Sequence, residues 1–250
     1  MKKIWDAKNK AIGLVFGSWE GSCNQLPKYL NAIRARNPGT KFEWKTYAID
    51  NSSEVIFHRV FWAFGPSIEA FKHCRPIIQI DGTFLYGKYK GKLLISCGVD
   101  GVNHVMPPAF AIVEEESKDS WSWFLLCLHV HVTQCDGICL ISYHHSGIIA
   151  AVKDPSVGWT EPYAYHHYCL RHVASNFHTA KKNSATKNLV MKAGYQVQSH
   201  SYHMSLDILP TDRSSTVFIR YSSFSSLMGF RGFDYSKMSK EGGSITSCSG

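Results

Sequence analysis

The stretch Ile77-Ile78-Gln79-Ile80-Asp81-Gly82-Thr83-Phe84-Leu85 constrains the fold of this chain more than any other. Three isoleucines with no charge among them predict a buried strand, because β-branched side chains pack well on a pleated surface. Gly82 is expected to supply the turn that ends it. An acid at the last position of such a strand stands at the sheet rim, half in the core and half in solvent. There Asp81 can hold a divalent cation, which prefers oxygen ligands. Read alone, though, Ile-Asp-Gly can equally do no more than start a turn.

The rest of the chain can build a core around that strand. It has 250 residues, 44% of them hydrophobic and 13% aromatic, enough for one sizeable domain or a domain with appendages. No apolar run approaches a membrane span, and Met1-Lys2-Lys3-Ile4-Trp5-Asp6 lacks the apolar core of a signal peptide. A soluble protein made in the cytosol, with no membrane partner, is expected. Its eight cysteines are scattered and read as free thiols, with Cys97, Cys127 and Cys139 as small core residues.

Charge is uneven. Residues 1–75 carry 12 Lys+Arg against 6 Asp+Glu, residues 76–181 carry 7 against 9, and residues 182–250 carry 8 against 4. An acid-leaning centre between basic flanks fits a metal-binding core with electrostatic arms for a polyanion such as DNA. Ordinary surface variation gives the same totals.

In chain order, Leu26, Tyr29, Leu30 and Ile33 mark one face of a helix closed by Asn37-Pro38-Gly39. Phe42–Tyr47 alternates as a half-buried strand, Val55–Trp62 reads as a second strand, and Pro66–His73 as a short helix. Trp19, Trp44 and Trp62 are taken as packing residues. After the Asp81 strand comes a basic turn, Tyr86–Gly91, and then apolar strands at Lys92–Val99 and Met106–Glu114. Pro107 and Pro108 place the entry of the latter at a strand start or edge. Ser117 is the expected cap of a largely buried helix carrying Trp121, Phe124, Leu125, Leu128 and Val132. Glu114, Glu115 and Glu116 are its leading loop. A strand at Ile138–Ser142, a helix from Gly147 and one longer helix over Tyr163–Lys181 complete the pattern.

Three antiparallel strands, a helix and a further strand make the expected fold class α/β: a ribonuclease H-like mixed sheet flanked by helices. In that arrangement the ends of the first and fourth strands lie side by side. The expected organisation is a basic N-terminal helical and strand region over 1–75, the core over 76–195, and a tail over 196–250. Fourteen of the tail's residues are serine, so weak order is expected there.

The motifs now on the page resemble the plant Mutator-like element (MULE) transposases. They are Phe61-Trp62-Ala63-Phe64, Arg75-Pro76, Ile80–Gly91, Pro108–Glu114, Asp119–Phe124, Cys139–Ser142 and Cys169–Phe177, in the family's order across about residues 10–195. The resemblance implies a ribonuclease H-like fold whose three acids hold two Mg2+ or Mn2+ ions. Those ions serve phosphodiester cleavage and strand transfer in DNA, stabilising both attacking and leaving oxygens. It also implies a nuclear protein with DNA element ends as partner, and leaves room for a homo-oligomer. Asp81 matches the first acid, the ancestral metal ligand.

The second acid departs from the pattern. The family's Ile-Ser-Asp-Arg-His-x-Gly-Ile stands here as Ile141-Ser142-Tyr143-His144-His145-Ser146-Gly147-Ile148, so Tyr143 occupies the aspartate position. A neutral phenol with a pKa of about 10 cannot replace a carboxylate on magnesium. His144 or His145 would suit a softer metal. No family-like third-acid region follows residue 195, and neither Asp234 nor Glu241 is assigned to that role. A truncated, degenerate transposase with catalysis lost is therefore expected, with a domesticated DNA-binding regulator as the alternative. Cys169-x-x-His172 matches the family's Cys-x-x-His element, half of a zinc ligand set at most. Lys88, Lys90 and Lys92 beside Asp81, together with Arg171, are the expected DNA phosphate contacts.

Overall fold

The computed structural model describes residues 2–48, 55–86 and 90–195. Lys88, the Trp19 side chain and the 196–250 tail lie outside that description, and so do the expectations placed on them. The elements are α1 (Lys2–Phe16), α2 (Trp19–Arg36), β1 (Lys41–Ala48), β2 (Val55–Ala63), α3 (Gly65–Phe71), β3 (Ile77–Leu85), β4 (Gly91–Val99), β5 (Val105–Val113), α4 (Lys118–His131), β6 (Ile138–Ser142), α5 (Ser146–Val152), β7 (Ala164–Tyr168), α6 (Leu170–Lys181) and α7 (Ser184–Gly194). A 3-10 turn at Pro155–Val157 links α5 to β7. The class is α/β: one seven-stranded mixed sheet with helices packed against it.

The strands lie in the order β1-β2-β5-β4-β3-β6-β7. β3 is interior, antiparallel to β4 and parallel to β6, which is why it tolerates no charge before Asp81. The expected neighbouring of the first and fourth core strands is borne out, with Ile77 opposite Cys139 and Gln79 opposite Ile141. Gly82 does not end β3. The strand runs on through Thr83 and Phe84 to Leu85, paired with β4 as far as Gly91, because antiparallel bonding to β4 outlasts the shorter β6.

The single helix expected over Tyr163–Lys181 is also corrected. Ala164–Tyr168 is a strand, parallel to β6, and the helix begins only at Leu170. Tyr165 and Tyr168 favour strand, and the neighbouring β6 offers a full ladder of partners. Tertiary pairing thus overrides a helical reading of the segment. In β5, Ser96 faces Ala109 and Gly98 faces Met106, leaving Cys97 opposite Pro107 and Pro108 as a bulge. The prolines sit where β2 has already stopped pairing with β5, so their missing donors cost no ladder bond.

One sheet face carries the main core. Ile78, Ile80, Leu94, Ala109, Ala111 and Phe61 are no more than 1% exposed and meet Trp121, Phe124, Leu125 and Leu128 of α4. Each such side chain contributes about 1.5–3 kcal/mol by burial. As expected, Ser117 caps α4, accepting from the Ser120 amide, and Ser120 returns the bond in a capping box. Trp159 reaches back to α4 and donates its Nε1–H to the Leu125 carbonyl at 2.9 Å. Free thiols are found at Cys23, Cys74, Cys97, Cys127, Cys139 and Cys169.

The charged group in this core is Arg59, 1% exposed in the middle of β2. Its Nε donates to Glu114 Oε2 at 2.8 Å and its Nη2 to Glu114 Oε1, while Nη2 also lies 2.7 Å from Asp119 Oδ2. The guanidinium therefore ties β2 to the segment that launches α4. Removing one carboxylate leaves a buried cation under-satisfied. Glu114→Ala is expected to destabilise the protein by roughly 1–3 kcal/mol, towards the low end because Glu114 keeps 36% of its side-chain exposure. Arg59→Met should cost less than Glu114→Ala; urea midpoints of the two variants check the order.

Candidate functional site

β3, β6 and β7 run parallel; β6 and β7 end together at Ser142 and Tyr168, while β3 continues past Asp81 to Leu85. Their registers place Gln79, Ile141 and His167 in one row across the sheet. Just past the paired rows stand Asp81 in β3, Tyr143 after β6 and Cys169 after β7; Cys169 joins the small cluster of Ile77, Cys139 and Ile141, while Tyr143 also packs against the main core. The backbone closes this row, since the Cys169 amide donates to the Ser142 carbonyl at 2.8 Å. Cys169 is the N-cap of α6, and the first turn of that helix carries His172 back towards β3. His172 Nε2 stands 3.9 Å from Asp81 Oδ2, and the Tyr143 and His172 rings lie 5.6 Å apart. Asp81 is half exposed, and its Oδ1 accepts from the Gly82 amide at 2.9 Å.

Beside the row opens a cavity of about 380 Å³, lined by Gln79, Cys97, Cys169, Arg171, Met191 and Tyr195 among others. Burial pushes the Cys169 thiol up, but hydrogen bonding to His172 and to the first-turn amides of α6 outweighs it and holds the thiol below its ordinary range. Hydrogen bonding to Cys169 raises His172 in return, against its burial, and the Asp81 carboxylate adds to the rise. The two groups thus shift each other in opposite senses, the thiol down and the imidazole up. Nearby, His166 is pushed down to about 4, first by burial and then by His167, His144 and Lys153; its Nε2 lies 2.8 Å from Ser142 Oγ.

The expected site residues divide. Asp81, Tyr143, Cys169 and His172 come together, and Arg171 is exposed on the cavity wall. Lys90 is exposed on the approach to β4. Lys92 is not brought to Asp81: it points to the opposite face, 3.1 Å from Glu116 Oε1 and over the Phe84 ring at 3.2 Å. Glu116 fills the space beside Gly82, where an added Cβ would meet its carboxyl group at 2.9 Å. His145 is spent on capping, its Nδ1 accepting from the Gly147 amide, and His144 lies 5.1 Å from the Tyr168 ring. Among the described residues no three His, Cys, Asp or Glu side chains are grouped to hold a metal ion.

Sequence reading missed Arg59 and the cavity. Arg59 could have been found from the parity of β2, since it shares a face with the buried Phe61. The cavity needs the α6–α7 packing and left no local signal.

Residues 77–176 match the family model of the MULE transposase domain. The resemblance carried by the motif series is thus borne out over that stretch. The chain is also similar to Protein FAR1-RELATED SEQUENCE 4 of Arabidopsis thaliana, 24% identical over 155 residues. That alignment takes in 61% of this chain and spans 20% of the relative's own length.

The thiol geometry has a measurable consequence. Alkylation of Cys169 by iodoacetamide is expected to reach half its maximal rate at a pH below the free-cysteine value of about 8.5, and His172→Gln should move that midpoint upward. Peptide-resolved labelling against pH checks it; coincident midpoints in the two proteins would sink the pairing.

Proposed function

We propose that this chain is a transposase-derived, DNA-binding protein whose core has the ribonuclease H-like fold and whose two-metal chemistry is lost. The strand order β5-β4-β3-β6-β7, three antiparallel followed by two parallel, supports the fold reading. The observation that carries the functional reading is the group of Asp81, Tyr143, Cys169 and His172, gathered where β6 and β7 end inside the stretch that matches the transposase domain.

The donors in that group do not fit magnesium or manganese. Paired ions need several hard anionic oxygens to bridge and flank them. Asp81 supplies one carboxylate. Tyr143 presents a phenol that stays neutral near pH 7, and Cys169 a soft sulfur that suits other metals. His172, 3.9 Å from Asp81 Oδ2, adds an imidazole rather than an anionic oxygen. This donor set therefore offers no route to phosphodiester cleavage.

What the chain retains is a basic surface and a nuclear role as a DNA binder. Lys90 and Arg171, both exposed, are the phosphate contacts within the described residues. Lys92, tied to Glu116, contributes to holding the β3–β4 end rather than to DNA.

With magnesium or manganese, the purified chain is expected to leave duplex DNA uncut, and Tyr143→Asp alone should not restore cutting. Nicking by the unmodified chain that disappears in Asp81→Asn would overturn the proposal. DNA binding, in contrast, should weaken by about tenfold or more between 50 and 200 mM salt, and further in the Lys90→Glu, Arg171→Glu double variant. Binding indifferent to both salt and charge reversal would rule out the phosphate-contact surface.

A further inference from the structure

β1 forms one end of the sheet and pairs with β2 alone. Its far side therefore presents backbone N–H and C=O groups with no strand beside them among the described residues. Six of its eight residues are exposed, whereas β7, at the sheet's other end, is only five residues long. Lys45 faces Arg59 and Thr46 faces Phe57, so the extra residue of the register shift is His58 of β2 and β1 itself stays regular. A long, regular, exposed edge is a template for another strand.

Side chains alternate along that edge. Lys41, Glu43 and Lys45 lie on the α4 face, where Glu43 Oε1 is 2.8 Å from His131 Nε2, and Phe42 and Trp44 lie on the other. Trp44 and Phe57 meet edge-on with ring centroids 6.1 Å apart, and both are exposed, as is Tyr47. Exposed aromatics on an unpaired edge mark an interaction surface, and the charges beside them say which partner fits. Glu43, set between two lysines, turns a polyanion away but suits a copy of the same strand run the opposite way.

A two-fold axis perpendicular to the sheet keeps every residue on its own face, so a second β1 can pair only in registers centred on one residue. Centred on Trp44, the pairing engages the whole of Lys41–Tyr47: Trp44 opposes Trp44, Phe42 opposes Thr46, and Glu43 opposes Lys45 twice. Centred on Glu43 it sets two carboxylates together and Lys41 against Lys45; centred on Lys45 it sets two ammonium groups together. Centred on Phe42 or Tyr47 it engages only three residues, and centred on Thr46 it joins no opposite charges. Opposite charges across a ladder favour pairing and like charges oppose it, which selects the Trp44 register. We infer that two copies of this chain join edge to edge through antiparallel β1 strands centred on Trp44, making one continuous sheet across both. The tryptophans meet on the face away from α4, and the two Glu43–Lys45 pairs close the α4 face.

Sedimentation equilibrium of the full chain tests this association. A dimer is expected to dominate at about 100 µM, the affinity range of a small interface. Lys45→Glu sets like charges across both pairs and should weaken association about fivefold or more, while Glu43→Lys combined with Lys45→Glu should restore it. Trp44→Cys, incubated with oxidised glutathione, should form an interchain 44–44 disulfide, because opposed Cα atoms in such a ladder lie about 4.5–5.5 Å apart. Phe42→Cys on the same face should not link to itself, its two copies being displaced by four residues, about 13 Å, along the ladder. Peptide mapping by mass spectrometry identifies the bonds, and the charge variants decide the matter if the cysteine variants fail to fold. A chain that stays monomeric at about 100 µM, a dimer indifferent to Lys45→Glu, or 42–42 linking as fast as 44–44 would each overturn the inference.

Discussion

Parallel pairing of β3 with β6, and of β6 with β7, is the constraint on which the rest of this molecule depends. Parallel neighbours cannot be joined by a tight turn, so the chain must cross over between them. The first crossing is made by β4, β5 and α4, and the second by α5 and the 3-10 turn. Those crossovers supply the helical cover of the core face, and they bring the ends of β6 and β7 beside the middle of β3. Asp81, Tyr143 and Cys169 are neighbours because these two ladders agree. None of the three touches another in sequence, and α6 adds His172 to the group simply by starting where β7 stops.

A second constraint holds the far side of the sheet. Arg59 is buried between two carboxylates that both come from the start of the α4 segment. An arginine in that place fixes where β2 lies relative to α4 by direction and charge, which apolar contact alone leaves loose. Lys92 and Glu116 repeat the device one strand pair away, at the end of the β3–β4 hairpin. Ion pairs thus clamp the loop between β5 and α4 from both sides, leaving it little freedom just beside the strand that carries Asp81.

Much of this was legible in the residues. Strands at 42–47, 55–62, 92–99, 106–114 and 138–142 announce themselves because alternation and β-branching agree there, and the Ser117 cap is a local signal read correctly. β7 was not legible: Ala164-Tyr165-His166-His167-Tyr168 has no clean period, and its strand state is imposed by β6. The extent of β3 was misjudged for a related reason, since pairing with β4 carries the strand through Gly82 to Leu85. At the site, motif order announced Asp81 and Tyr143, but only register reveals Cys169 beside them. Lys92 misled because closeness in sequence was read as closeness in space. It stands three residues from Ile95, the partner of Asp81, and an odd offset on a strand means the opposite face.

The bulge at Cys97 bears on how this chain can change over time. A β-strand carries its side chains with a period of two, so a slip of one residue turns every side chain over. Pro107 and Pro108, set against Cys97, fix how β5 lies on β4. An insertion or deletion of one codon near the prolines would therefore reach beyond the residue it changes. On one side of it the side chains of β5 would turn over, taking Ala109 and Ala111 out of the core or the outward residues into it. Substitutions can change the group around Asp81 side chain by side chain while the sheet survives. Length changes in this hairpin have no such gentle course, and the lineage of this fold is free to vary in letters here but not in spacing.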